Sequence, residues 1–187
     1  AVRRAISQSQ ESKLARPPVL VDTLPARVLQ HDSLSFHPGA ARGVFDFQRQ
    51  IVVTGRSMDG VPAVFVATPL VLADGRALLV ERGAVYSPDS RTVDLGALRE
   101  PDSAIVRGVL MHGVAGRWTR FQGDPWPIHT GSDDPTQFTE QFPYPLVRLV
   151  LRRTVPPPGV PDALRPIPLP PMGNGPHLSY AIQWFAF

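Results

Sequence analysis

His177, Tyr180, Ala181 and Trp184 stand at i, i+3, i+4 and i+7, so a helix through this stretch carries an imidazole, a phenol and an indole on one face. That face combines a nitrogen donor with two flat aromatic walls and suits a planar ligand. Asn174-Gly175-Pro176 just upstream is a competent helix start: Asn or Gly caps, and the proline sits in the first turn, where its missing N–H is not needed.

The other reactive side chains are more dispersed. His31, His37, His112 and His129 fit no short ligand spacing, which argues against a metal centre. Ser57, in Gly55-Arg56-Ser57-Met58-Asp59-Gly60, misses the nucleophile elbow by one residue and reads as a turn between strands. A hydrolase would need Ser57, His112 or His129 and an aspartate to converge in one cleft. Asp133-Asp134 lies among Gly, Ser and Pro, the setting of solvated or capping acids. Gly173-Asn174-Gly175 lacks the third glycine and preceding strand of a dinucleotide site. Arg82-Gly83 ends a strand-like run, and its guanidinium should meet a carboxylate, either a partner's or one from its own chain.

The elements that would position these groups are mostly strands. From Val44 onward, short runs rich in Val, Phe, Ile and Leu alternate with Gly, Pro and Asp. Ala63 to Leu72, then Ala73-Asp74-Gly75, then Arg76 to Gly83 read as a hairpin, with Asp-Gly supplying the positive φ of a tight turn. Pro69 cannot donate to a ladder, which places that part of its strand at an edge or bulge. Further strands are expected at Phe45 to Thr54, Ala104 to Met111 and Leu146 to Arg153. The pattern predicts a mainly β fold, an antiparallel sheet or small barrel with a few short flanking helices. Val114 to Tyr144 is a long excursion expected to fold over one barrel mouth.

The ends have a different character. Residues 1–18 read as a polar helical lead-in, Arg3 to Ala15, stopped by Arg16-Pro17-Pro18. Residues 19–155 form the β-rich domain. Residues 156–176 are a proline-rich spacer, stiff because successive prolines fix φ and remove donors; a ligand for proline-binding modules is the rival reading. Residues 177–187 carry no formal charge after His177 and open a membrane helix, although a full crossing needs about twenty apolar residues. The expectation is therefore a domain with truncated membrane-helix ends at both termini.

Composition narrows the function classes. No cysteine is present, which removes disulfide scaffolds, thiolate metal sites and cysteine nucleophiles. Lys13 is the only lysine, and the arginines after residue 41 are interspersed with acids, so there is no basic stripe for nucleic acid. The positive excess of Arg3, Arg4, Lys13, Arg16 and Arg27 suits anionic headgroups instead.

Several segments resemble the surfeit-locus family of cytochrome c oxidase assembly factors: Gly43-Val44-Phe45-Asp46, Arg56 with Gly60, Thr68-Pro69-Leu70, Asp74-Gly75, Leu79-Val80-Glu81-Arg82-Gly83 and, most specifically, Asn174 to Phe185. The chain departs from the family pattern at Glu81, Ala84 and Gln183. The resemblance implies a β-rich domain on the outer, periplasmic face of a bacterial cytoplasmic membrane, held by one helix at each end. It implies a non-enzymatic assembly role in which haem a reaches the oxidase core subunit, with that subunit and haem-a synthase as partners. His177 then matches the family's proposed haem-iron ligand, Trp184 and Tyr180 shape the pocket wall, and Arg82 faces a propionate or an acidic partner loop. Two readings of the terminal face stand: that haem site, or an interfacial aromatic belt of Tyr180 and Trp184 with His177 exposed to water. A scaffold that grips oxidase subunits without touching haem is the alternative function.

Overall fold

Strands form where β-branched runs were expected, and their number explains the topology. The computed structural model describes residues 2–29, 32–117 and 122–170, and the side chains of 2–7 and of Asp32 are not described. The strands are β1 (Val19–Leu20), β2 (Pro38–Phe45), β3 (Ile51–Met58), β4 (Val61–Val71), β5 (Ala77–Tyr86), β6 (Ser103–Met111), β7 (Ile128–Thr130) and β8 (Leu146–Arg153), with α1 (Val2–Leu14) and α2 (Ala26–Leu29) before β2.

They make one sheet in the order β1-β2-β6-β8-β5-β4-β3-β7, and an extra β2–β4 pairing closes β2, β6, β8, β5 and β4 into a ring. A ring of five strands cannot alternate direction all the way round. At least one neighbouring pair must run parallel, and here it is β5–β8. The β3–β7 and β1–β2 pairs are parallel too, so the sheet is mixed and the antiparallel expectation is corrected. The small-barrel expectation holds.

Closure depends on Gly43, because a Cβ there would lie 2.4 Å from the Val71 carbonyl oxygen. The hairpin forms as expected: Gly75 has φ +85°, Leu72 N donates to Arg76 O at 2.8 Å, and Val71 pairs with Ala77. Pro69 falls where the β3 ladder on β4 has ended at Ala67 and the β2 ladder begins at Leu70, and on that side only its carbonyl bonds, accepting from Asp46 N at 2.9 Å. The single strand expected over Phe45 to Thr54 is two strands. Asp46 breaks it by accepting from Gln48 N at 3.1 Å and pairing with Arg49 at 2.9 Å.

The barrel interior holds Ala41, Phe45, Leu70, Leu78, Val80, Val106, Leu110, Leu149 and Leu151, joined by Val21 and by Leu29 of α2. The outer face carries a second apolar cluster, in which Ile51, Leu79, Val109 and Val150 pack under Phe138 and Phe142. The 114–144 excursion therefore covers the outside of the sheet and not a barrel mouth. Buried on both faces, β5 and β8 read as near-continuous apolar runs.

The helix α1 docks through Leu14 on this outer cluster, Lys13 Nζ to Ser35 O at 3.3 Å, and Arg16 to His37 Nε2 at 3.3 Å. It is polar, and among the described residues no helix is long and apolar enough to cross a membrane. The membrane segment expected at 177–187 lies outside the described residues. Of the proline-rich segment expected as a spacer over 156–176, the described part, 156–170, packs on the body. Leu164 and Ile167 are buried against it, and Arg165 exchanges backbone hydrogen bonds with Ala84 at 2.7 and 2.9 Å.

Candidate functional site

Arg82 occupies a β-bulge. Val66 pairs with Gly83 and Ala67 with Glu81, leaving Arg82 as the extra residue of β5. A bulge re-aims a side chain, and this one sends the guanidinium into the protein, with no side-chain exposure. Its Nε and Nη2 donate to Glu100 Oε1 at 3.0 and 2.7 Å, Nη2 also donates to Leu98 O, and Nη1 reaches Gln50 Oε1 at 3.2 Å. Phe47 lies over the guanidinium at 5.0 Å.

Glu100 also accepts two bonds from Arg153, at 2.7 and 2.9 Å, so one buried carboxylate serves two buried guanidiniums. Burial by itself pushes the Glu100 carboxyl up; the Arg153 hydrogen bonds and the charges of both arginines outweigh it and hold the carboxyl below its usual range. Burial lowers the Arg82 pKa, with Glu100 opposing. The carboxylate that Arg82 meets is thus internal, and its side chain is closed to a propionate or a partner loop.

A second charged cluster lies beside it. Arg152 donates to Glu81 at 2.7 and 3.2 Å and to Pro168 O at 3.0 Å. Asp133 accepts from Val114 N and stands 3.6 Å from Arg56, which donates to Gly131 O at 3.1 Å. The Phe65 ring lies between, 5.8 Å from Arg56 and 6.0 Å from Arg152. Burial and then the charge of Glu81 push the Asp133 carboxyl up to about 7. Of the adjacent acids only Asp134 caps, accepting from Thr136 N at 2.9 Å; Asp133 is interior.

The open concavities lie elsewhere. A polar groove of about 390 Å³ is bordered by Phe47, Gln48, Asp94, Arg99, Pro127 and His129. A mostly apolar one of about 590 Å³ runs past Arg42, Val44 and Ile105. Among the described residues no group of three or more His, Asp or Glu is placed to hold a metal ion. His129 is the register partner of Val52, five residues along β3 from Ser57, roughly 16 Å away at strand rise. Those two cannot act as nucleophile and base. His31, His177, Tyr180 and Trp184 lie outside the described residues.

Compared with known families, the chain matches the model of the SURF1 family over residues 1–187. The chain belongs to the SURF1 family. No curated protein matches it. SURF1-family proteins are linked to cytochrome c oxidase assembly; the described residues of this member form a closed barrel braced by two internal charge clusters. Its Glu81, noted above as a departure from the family pattern, is the partner of Arg152. Glu100 and Arg153 were missed in the sequence. The available signal was Arg152-Arg153 directly after the apolar run Leu149-Val150-Leu151, a position where unpaired charge would be costly.

Proposed function

We propose that this SURF1-family protein is a non-enzymatic assembly factor that helps place haem a in the core subunit of a haem–copper oxidase, working at the periplasmic face of a bacterial cytoplasmic membrane. The observation that carries the reading is the whole-chain family match together with the histidine and aromatic face of residues 177–184. The donor set fits the group: an imidazole ligates haem iron, and in a helix the indole seven residues on would stand roughly 10 Å away. His177 offers the axial nitrogen, and Trp184 and Tyr180 pack as walls. Haem a, when bound, supplies the redox-active iron that the oxidase needs. The core subunit and haem-a synthase are the partners of this reading. Arg82 has no part in it, since Glu100 already holds its guanidinium.

The test is a visible absorption titration of the intact protein in detergent with haem a, against His177→Ala. Loss of the ligated-haem band in the variant supports the assignment; identical spectra remove His177 from it. The scaffold reading is favoured by the barrel interior, which is filled by its own side chains. Full recovery of the core subunit alongside His177→Ala would favour it.

A further inference from the structure

The strand β6 outruns its neighbour. The β6–β8 ladder covers Gly108 to Met111 against Arg153 to Val150, and Thr154 N still donates to Arg107 O at 3.3 Å. Val155 and three consecutive prolines follow. Without N–H groups, Pro156, Pro157 and Pro158 cannot continue the ladder, and the chain turns away. Residues 103–106 of β6 are left with one bonded side, toward β2, and Arg107 keeps only its carbonyl bond to Thr154 on the other.

The direction of each backbone group follows from the β2 register. Phe45 N donates to Asp102 O at 2.7 Å, which makes Val44–Ser103 a non-hydrogen-bonded pair; Arg42–Ile105 and Ala40–Arg107 follow in alternation. Ala104 and Val106 therefore bond to β2. The N–H and C=O of Ser103 and Ile105, and the N–H of Arg107, point the other way, and none has a hydrogen-bond partner among the described residues. They border a groove of about 310 Å³ whose far wall is Pro157, Pro158, Gly159 and Val160.

We infer that the open edge of β6, Ser103–Arg107, docks an extended segment of a partner protein by strand addition, with an acidic residue of that segment against Arg107. Alternating donors and acceptors specify an extended backbone as the occupant. The side chains specify its character: Ile105, 46% exposed, stands between the two grooves and calls for an apolar neighbour, while Arg107 and Arg42 are exposed and form no ion pair among the described residues. The site spans about four strand steps, roughly 13 Å. The inference does not rest on the haem reading.

The probe is a nine-residue peptide alternating Val and Glu, with a Val and Lys peptide as counterpart, titrated into the isotopically labelled chain. Saturable amide shifts at Ser103, Ile105 and Arg107 are expected, with the acidic peptide binding at least tenfold more tightly. Arg107→Glu, a surface change with no ion pair to lose, should reverse that preference. Ile105→Pro removes the central donor and should abolish binding of both; if it fails to fold, the charge reversal still decides. Equal affinity for both peptides, or shifts elsewhere, overturns the inference. So does a concentration-dependent dimer of the unliganded chain that Arg107→Glu dissolves, because the edge would then serve a second copy.

Discussion

Glu81 of β5 and Arg152 of β8 are register partners across the parallel pair, and the arginine fork closes on the carboxylate at 2.7 and 3.2 Å. The contact sits on the one parallel junction of the barrel ring. Its partners are buried, so its loss is an unpaired interior charge and not a lost surface bridge.

Arg152→Ala should therefore destabilise the fold by roughly 3–5 kcal/mol in urea unfolding. Replacing both residues together, Glu81→Leu with Arg152→Leu, should recover much of that loss, since no charge is then left unpaired. A double variant no better than the single one would show that the pair acts through packing alone.

Glu100→Gln leaves Arg82 and Arg153 sharing no carboxylate, and the same range of roughly 3–5 kcal/mol is expected. Because the folded carboxyl titrates below its usual range, its contribution is present above the unfolded pKa and fades as pH falls through the folded one. Parent and Glu100→Gln stabilities should converge on acidification. A gap that stays constant with pH would reject the charge-based account.

Asp133 has the opposite sign. Its folded carboxyl is raised to about 7, so the native state holds a proton that the unfolded chain, near 3.9, has released. Stability from this group is full below the unfolded value and is lost as pH climbs toward 7. Asp133→Asn mimics the protonated form and should flatten that slope. Unfolding curves measured at intervals from pH 4 to 8 check it; superimposable slopes would exclude Asp133 as the group responsible.

Gly43→Ala places a methyl 2.4 Å from the Val71 carbonyl, backbone that cannot swing aside. Overpacking of this kind costs about 1–3 kcal/mol, and each kcal/mol lowers the melting temperature of a chain this size by roughly 2–4 °C. A melting temperature unchanged by the substitution would mean that the β2–β4 seam is dispensable.

Hairpin and strand positions were legible because their signals are local. Asp74-Gly75 announces its turn, and Leu146 to Arg153 is bounded as expected. β2 was hidden because Gly39, Ala40 and Ala41 carry no strand propensity; at Gly39 the smallness is imposed, since a Cβ there would strike Leu110 and Leu151. The break at Asp46 was hidden because it rests on a side chain bonding its own turn. Arg82 was singled out correctly as a residue in search of a carboxylate, but which carboxylate was not visible. Glu100 is eighteen positions away and Arg153 seventy-one, and only the placing of β8 between β5 and β6 brings them together.

By itself the sequence determined the strand-rich class, the hairpin, the polar helical lead-in and the histidine with aromatics at helical spacing, since propensity, turn chemistry and periodicity act over a few residues. Tertiary structure alone decided the parallel junction, the burial of Glu81, Arg82, Glu100, Arg152 and Arg153 as paired groups, and the open edge of β6. Those follow from an odd number of strands closing on themselves and from prolines that stop β8 short, relations among distant segments that no local pattern records.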